Sequence, residues 1–460
     1  MAVFYIYSAI SIIICLYFVK KYRPAYPVVA FVVSLFVFLS DVGNIDGVKI
    51  SIGGAFDLQP LRIIFLFSGI FLIIDPLLSQ YRKKKEVELK IRVVPTYERF
   101  MIAYLLFTIC SFLINYSVFE TIELITSITA IASFVLVYFA VKRAGDRGFV
   151  LAFKNSLFAA AALSSLVALF QFVGDQSFFR VNPEYGRGAF GGLIRSTGVY
   201  RDDYIHAYVV FSALVWLFFS MNNSYKKYAL MSLYLIGIFV GFMRMGYVVT
   251  AFFFVHAILY ASTASNKLKI LIVSLSLVLG VFMGFGILGS GILESDAAQE
   301  RMMDEGTMEY RFQLYKEGVR ASFDSMKSIL FGYGSVGSPA YYEAMYIATG
   351  GKELWATGEA GSWHNLLVEI LFFNGLPTAL LFLIFLIFLA KYYRKASLFY
   401  NDSIYYIPFY ILLGYMFANL TLDLGLENPF ATILAITSAL AINTRTWQVQ
   451  FGKANELYSV

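Results

Sequence analysis

The chain has 460 residues, of which 59% are hydrophobic and 14% are charged, with 36 basic residues against 30 acidic ones. A soluble globular chain is about 45–50% apolar and about 25% charged. This composition excludes a water-soluble enzyme, a disordered protein and a nucleic-acid binder. Because the apolar residues come in runs, it indicates a polytopic membrane protein.

The apolar runs predict an all-α protein with about 12–13 transmembrane helices, since a helix needs about 20 mostly apolar residues to cross a bilayer. The first run has no basic region before it and no small-residue cleavage site, so we expect a retained helix rather than a signal peptide. Cys15 and Cys110 lie inside apolar runs, which argues against a disulfide framework. The candidate spans are 3–19, 27–40, 60–78, 99–116, 121–141, 148–173, 203–220, 227–243, 245–262, 268–290, 364–390, 404–421 and 428–443.

Lysine and arginine recur in alternate predicted loops, as the positive-inside rule requires. The basic loops are 20–23, 82–92, 142–147, 226–227, 267–269 and 391–395. The intervening short loops at 41–59, 117–120 and 421–427 carry few basic residues. This alternation predicts that the N-terminus lies outside the cell and the C-terminus in the cytoplasm.

Two long loops, 174–202 and 291–363, fall on the predicted extracytoplasmic face. We therefore predict a transmembrane bundle over 1–290 (spans 1–10), an extracytoplasmic subdomain over 291–363, and a second bundle with a short cytoplasmic tail over 364–460. Aromatic and aliphatic residues recur at helical spacing in the subdomain, beside basic ones: Phe312, Tyr315, Val319 and Phe323, with Arg311, Lys316 and Arg320. This pattern is typical of a helix in the membrane interface. A packed loop helix with solvated charges is an equally good interpretation.

Arginines on the predicted outer face break the charge rule. Long loops translocate regardless of charge, which explains Arg301 and Arg320 well. It does not explain Arg244, which we interpret as the apex of a helical hairpin between two apolar stretches. A cation near lipid needs a partner, so Arg244 is a candidate anion-binding residue.

Three histidines occur in the chain. His256 lies inside a predicted span and is most simply a polar residue facing the bundle, whereas His206, near the outer end of span seven, fits either role. His364 lies where the second long loop enters span eleven. A helix N-terminus favours anions and the neutral form of histidine, which can accept a proton. Taken alone, Trp363, His364 and Asn365 favour a simple capping or interfacial role.

Gly332, Gly334 and Gly337 satisfy the spacing G-x-G-x-x-G. The dinucleotide fingerprint also requires a preceding strand and a helix within a βαβ unit. An outer loop of a membrane protein supplies neither, so these glycines predict a turn. The chain has no Walker A, H-E-x-x-H or G-x-S-x-G motif and no C-x-x-C pair.

Four segments, taken together and in this order, resemble the O-antigen ligase and O-antigen polymerase (Wzy-like) superfamily of bacterial membrane glycosyltransferases. They are RSTGVYRDDYIHAYVVF (195–211), FMRMGYVVT (242–250), YRFQLYKEGVRASFDSMKSILFGYGSVGS (310–338) and HNLLVEILFFNGLP (364–377). The resemblance covers roughly 195–390, and the first 170 residues match only as generic spans. The family often has Pro-Asn where this chain has Asp202-Asp203, and serine where it has Met243.

The resemblance implies a GT-C-like, metal-independent glycosyltransferase of the bacterial inner membrane, without a cofactor, acting at the outer leaflet. Its donor would be a glycan on undecaprenyl pyrophosphate. Arg195, Arg244 and Arg311 match the family's arginines and would bind the pyrophosphate, and Arg244 would also act in catalysis. His364 would be the general base. Further candidate site residues are Arg201, His206, Tyr315 and Asn365.

Within this superfamily we favour a polymerase of lipid-linked repeat units over a ligase that transfers the glycan to lipid A–core. The resemblance also raises a regulator of chain length as a partner. The main competitor from another class is a polysaccharide transporter or flippase, which predicts charged residues inside the spans. Here the spans are nearly free of charge, with Lys154 and His256 among the few exceptions, which favours chemistry at one membrane face.

Overall fold

The computed structural model of the chain describes a helical bundle with a small helical subdomain at one end. The residues described are 50–52, 56–58, 95–118, 128, 134–139, 141–142, 147–175, 177–179, 195–200, 203–221, 224–241, 243–261, 305–335, 338–348, 363–400, 405–420 and 429–451. The predicted spans 3–19, 27–40, 60–78 and 268–290, and most of 121–141, lie outside these residues.

The described part contains twelve α-helices and one short hairpin, and residues 134–139 and 141–142 are also helical. The hairpin pairs β1 (Ile50–Ile52) with antiparallel β2 (Phe56–Leu58), so that Ser51 lies opposite Asp57. The helices are α1 (Thr96–Ile114), α2 (Arg147–Val173), α3 (Asp203–Ser220), α4 (Tyr225–Val240), α5 (Arg244–Ala261), α6 (Glu305–Ser322), α7 (Met326–Phe331), α8 (Pro339–Ala348), α9 (Leu366–Asn374), α10 (Leu376–Tyr400), α11 (Tyr406–Ala418) and α12 (Pro429–Phe451). A 3₁₀ turn, Tyr116–Val118, follows α1.

Four of these helices contain stretches long and apolar enough to cross a membrane: Thr96–Ile114, Phe153–Val173, Asp203–Ser220 and Leu376–Leu398. Shorter apolar helical stretches are Met245–Ala257, Tyr406–Ala418 and Phe430–Ile442. The prediction of a mostly helical chain is therefore confirmed for the described residues, and these apolar helices are consistent with a membrane protein.

One predicted span is corrected. The sequence predicts a continuous helix over 364–390, but the chain forms the short helix α9 and the long helix α10, separated at Gly375. Gly375 has a φ of +83°, a conformation that residues with a Cβ rarely adopt. The apolar run continues through this break, so hydropathy alone does not reveal it.

α3 lies at the centre of the bundle and contacts α2, α4, α11 and α12. Its residues from Ile205 to Leu217 are almost all buried, with Trp216 1% exposed. Phe211 packs so closely on α11 that a Cβ on Gly414 would lie 2.6 Å from the phenyl ring. Near the N-terminal end of α3, Tyr208 stacks on Phe430 of α12, with 4.8 Å between ring centroids. Such close packing holds the beginning of α3, the end of α11 and the beginning of α12 together.

A second hydrophobic cluster belongs to the subdomain formed by α6–α9. Leu314, Met345 and Phe372 are fully buried in it, and Trp363 is 1% exposed. α9 therefore packs with the extracytoplasmic segment predicted over 291–363 as well as with α10. The cluster brings the segment around His364 against α6.

Candidate functional site

Two interlocked glycine turns attach the subdomain to the bundle. Gly332 has a φ of +65°, and a Cβ on it would lie 2.3 Å from the carbonyl carbon of Phe373. A Cβ on Gly375 would lie 2.6 Å from the carbonyl carbon of Leu330. Gly334 N–H donates to Phe373 O at 2.9 Å. The FGYG segment therefore reverses the chain, as predicted, and it pairs with the end of α9.

The end of α1 completes this junction. Asn115 Nδ2 donates to Phe331 O at 3.1 Å and to Gly332 O at 3.3 Å. Ser111 Oγ donates to Phe331 O at 2.5 Å and to Phe373 O at 3.2 Å. Two side chains of a membrane-spanning helix thus satisfy carbonyl groups that the turns leave without a helical partner.

His364 has a φ of +52°, one of two positive φ values among the described residues other than glycine. A left-handed conformation costs a residue with a Cβ about 1–2 kcal/mol. Surrounding contacts hold it in place, because Tyr315 Oη donates to His364 O at 2.9 Å. The histidine side chain remains partly exposed. Strained backbone of this kind is concentrated at functional sites.

Asn365 is the N-cap of α9. Its Oδ1 accepts hydrogen bonds from the backbone N–H groups of Leu367, at 3.0 Å, and Val368, at 3.2 Å. Its Nδ2 donates to Leu420 O at 3.2 Å, and the Tyr315 hydroxyl lies 3.3 Å from the same oxygen. Asn365 therefore caps its helix and joins the His364 segment to the end of α11.

Arg311 lies one helical turn before Tyr315 on α6 and is partly exposed. Residues four apart share a helix face, so the structure brings Arg311, Tyr315, His364 and Asn365 into one neighbourhood. We call the end of the bundle that carries them the His364 end.

Arg195 lies in a separate cluster at the beginning of α3. Its Nη1 donates to Asp203 Oδ2 at 3.0 Å, and the arginine side chain is 30% exposed while the aspartate side chain is 5% exposed. Asp203 begins α3, where a carboxylate also interacts favourably with the helix dipole. An anion that binds Arg195 must therefore share the guanidinium with this carboxylate.

Gln171 holds the backbone that carries Arg195. Its Oε1 accepts from the N–H groups of Thr197 and Gly198, both at 3.0 Å. Its Nε2 donates to Phe178 O at 2.8 Å and to Gly198 O at 3.0 Å. These four bonds use both N–H groups and both lone pairs of the amide. Gln171 was not among the predicted site residues, because a glutamine inside a long apolar run has no distinctive motif.

His206 lies inside the protein and is 0% exposed. Its Nε2 lies 3.0 Å from Gly237 O, and its Nδ1 lies 2.7 Å from Ser164 Oγ. A carbonyl oxygen only accepts, so Nε2 carries the proton, and in the neutral ring Nδ1 accepts from the serine hydroxyl. Ser164 Oγ in turn accepts from Val199 N–H at 3.2 Å. The structure thus places His206 behind the Arg195 segment rather than on a surface that a substrate reaches.

Arg244 is the first residue of α5, as the interpretation of a hairpin apex predicts. The turn before it contacts the Arg195 segment, where Ser196 N–H donates to Val240 O at 3.3 Å. A Cβ on Gly246 would lie 3.4 Å from the Cβ of Ala207. The beginnings of α3 and α5 are therefore adjacent. Arg201 lies outside the residues that the structure describes.

Aromatic packing links the two clusters. Phe430, which stacks on Tyr208 of α3, also packs on Tyr415 of α11 with 5.7 Å between ring centroids. Leu420, the acceptor for Asn365, lies just beyond α11. The Arg195 and His364 clusters thus lie at the same end of the bundle. Within the described residues, no group of three or more His, Cys, Asp or Glu side chains could hold a metal ion.

His256 and Lys154 lie within the helices, away from this end. His256 Nδ1 is 2.7 Å from Tyr410 Oη, which joins α5 to α11. Lys154 is in the first half of α2 and is partly buried.

No protein-family model matches this chain, and a search of curated proteins finds no match.

Proposed function

We propose that the protein is a polymerase of lipid-linked oligosaccharide repeat units, which uses undecaprenyl pyrophosphate as the leaving group at the extracytoplasmic face of the bacterial inner membrane. The observation that supports this proposal is the arrangement of the four segments that resemble the superfamily. Residues 203–211 of the first segment contact residues 243–250 of the second, where Gly246 approaches Ala207, and the segments at 310–335 and 364–377 contact each other, all at one end of the bundle.

In the proposed reaction, the acceptor sugar hydroxyl attacks the anomeric carbon of the donor glycan. The bond between this carbon and the pyrophosphate oxygen breaks as the new glycosidic bond forms, with inversion and without a covalent enzyme intermediate. The hydroxyl proton passes to His364, and undecaprenyl pyrophosphate leaves with its extra negative charge. Guanidinium groups stabilise such charge as it develops.

The local geometry supports these roles. His364 is held at the beginning of α9 by the hydroxyl of Tyr315 and by the cap residue Asn365, while its side chain stays partly exposed. A rigid backbone with an accessible imidazole is what a general base needs. In this proposal Arg311, on the same face of α6 as Tyr315, neutralises negative charge near it.

The decisive experiment is glycan transfer by the purified protein, with defined lipid-linked repeat units as donor. Longer lipid-linked glycans are expected when these repeats are also the acceptor, whereas transfer only to added lipid A–core would identify a ligase. Net movement of the intact lipid-linked substrate across a vesicle membrane, without glycan transfer, would identify a transporter instead.

Two variants test the site. We expect His364→Ala to abolish most transfer, and His256→Ala to serve as a matched control that retains it, because His256 lies within the bundle beside Tyr410. We expect Arg244→Ala to weaken donor binding, with Arg394→Ala as the control, since Arg394 is an exposed arginine near the far end of α10. Full activity of His364→Ala, or unchanged donor affinity of Arg244→Ala, would remove the assigned role from that residue.

A further inference from the structure

Exposed apolar side chains occur on or beside each of the three helices α6, α7 and α8. On α6, Phe312 is 69% exposed, and Val319 follows at helical spacing on the same side, while Phe323, just beyond the end of α6, is 49% exposed. On α7, Met326 is 71% exposed, and on α8, Tyr346 is 53% exposed. We call these side chains, together with Leu330, the α6–α8 surface.

The opposite sides of the same helices are already packed. Leu314 of α6 and Met345 of α8 are 0% exposed. A Cβ on Gly318 would lie 2.8 Å from the indole ring of Trp363. The subdomain therefore has its own core, and the α6–α8 surface is additional apolar area that does not contribute to that core. Exposed apolar area beyond what a core needs is typical of a protein or membrane contact.

The position of α7 identifies the contact. Hydrogen bonds from Ser111 and Asn115 fix the end of α7 to the end of α1. α1 is apolar and long enough to span a membrane, and its last residues Leu113 and Ile114 are 54% and 44% exposed. α7 thus lies at the level where the exposed apolar surface of a membrane span ends. In a bilayer that α1 spans, that level would be the boundary between acyl chains and headgroups.

The polar residues around the surface also fit this boundary. Lys316 and Lys327 are exposed beside it, and long lysine side chains extend from apolar surroundings toward headgroups. Tyrosine, as at Tyr346, is enriched at membrane interfaces. Exposed Asp324 and Glu343 partly offset these lysines.

We propose that the α6–α8 surface lies in the lipid interface of the leaflet at the His364 end. The bilayer would then fix the height of α6 and α9, and with them the height of His364, relative to the membrane. This inference depends on the membrane-spanning helices and not on the proposed glycan transfer.

The test measures the depth of single fluorescent probes in nanodiscs. In a Cys15→Ser, Cys110→Ser background, bimane is attached at Phe323→Cys, Met326→Cys or Tyr346→Cys. Each probe is exposed to lipids with a nitroxide near the headgroup and, separately, to aqueous iodide. Ser177→Cys, at an exposed serine in the turn after α2, is the control probe.

We expect the three surface probes to lose fluorescence with nitroxide lipid and to be shielded from iodide, and the Ser177 probe to be quenched by iodide. Surface probes quenched by iodide as strongly as the control would place the surface in water. Surface probes shielded from both quenchers would place it against protein. Either result overturns the proposal, and neither depends on substrate or on transfer activity.

Discussion

The two ends of the bundle use polar groups in different ways. Away from the His364 end, the carboxylate of Glu98 is buried and accepts hydrogen bonds from Tyr138 Oη, at 2.6 Å, and from Lys142 Nζ. Tyr138 Oη also bonds to Tyr97 Oη at 2.7 Å, and Tyr393 Oη of α10 donates to Ser438 O of α12 at 2.6 Å. We call this the Glu98 end. Its charged groups pair with one another and join helices at this end of the bundle.

At the His364 end, by contrast, backbone groups are the main partners of the polar side chains. Gln171, Asn115 and Asn365 bond to carbonyl and N–H groups of turns and helix ends. Arg195 and His364 stay partly exposed. The comparison indicates that a buried ion pair joins helices at the Glu98 end, whereas bonds from side chains to the backbone at the His364 end shape loops that present charged and titratable side chains.

The largest effect is expected from Gly375→Ala, which tests whether the glycine turns hold the His364 end together. We expect a loss of about 4 kcal/mol in the free energy of unfolding, since overpacking costs about 1–3 kcal/mol and a left-handed backbone about 1–2 kcal/mol. Denaturant-induced unfolding in mixed micelles measures this free energy. Gly246→Ala is the control, because its Cβ would meet only an ordinary contact at 3.4 Å. Equal free energies of unfolding for the two variants would contradict the close packing of Gly375 against Leu330.

Glu98→Gln tests the other side of the comparison. Removing one partner of a buried ion pair costs about 3–5 kcal/mol. Because the Lys142 side chain is 17% exposed and can regain water, we expect about 3 kcal/mol. Glu317→Gln breaks a pair whose arginine is 68% exposed, and such surface pairs contribute about 0–1 kcal/mol. The free energy of unfolding is measured for both variants under the same conditions. If Glu98→Gln loses no more of it than Glu317→Gln, the buried pair of Glu98 and Lys142 does not stabilise the bundle.

Gln171→Leu tests whether the Arg195 segment depends on one buried amide. Each backbone group left without a partner costs about 1–3 kcal/mol, and relaxation of the segment toward water limits the expected loss to about 2 kcal/mol. Hydrogen–deuterium exchange should rise at 195–200 and stay unchanged around the Glu98 end. Ser164→Ala, which removes one acceptor from the same segment, should give a smaller rise. Unchanged exchange in Gln171→Leu would show that other contacts hold the segment.

The smallest effect, and one of opposite sign, is expected from His364→Gly. Glycine adopts a φ of +52° without the Cβ penalty, so the variant should be about 1 kcal/mol more stable to unfolding than His364→Ala. Both variants lack the imidazole and should lose transfer activity alike. A His364→Gly variant less stable than His364→Ala would mean that the backbone at this position is not strained.

Local patterns predicted much of the helical fold. The predicted span 203–220 coincides with α3, and the predicted break at Arg244 coincides with the beginning of α5. The span and the break can be predicted because an apolar run, and the polar or small residues that interrupt it, involve only neighbouring positions in the sequence. The division of 364–390 into α9 and α10 did not follow, because the break depends on how closely Gly375 approaches Leu330.

The tertiary structure buries some of the predicted site residues and leaves others partly exposed. His206 and His364 are both histidines near the predicted outer ends of spans, and hydropathy does not distinguish them. Ser164 and the carbonyl of Gly237 enclose the first, whereas a left-handed backbone and the hydroxyl of Tyr315 keep the second at the surface. Those partners lie 31 to 49 positions away along the chain.

The sequence by itself determined that this is a helical membrane protein, because that depends on summed hydropathy over windows of about 20 residues. It also identified the segments that carry arginine and histidine toward one face. Only the tertiary structure decided which segments meet, that Gln171 and Asp203 hold Arg195, and that two glycines 43 positions apart interlock. The physical reason is that these features depend on close approaches between distant residues, to which no local periodicity responds.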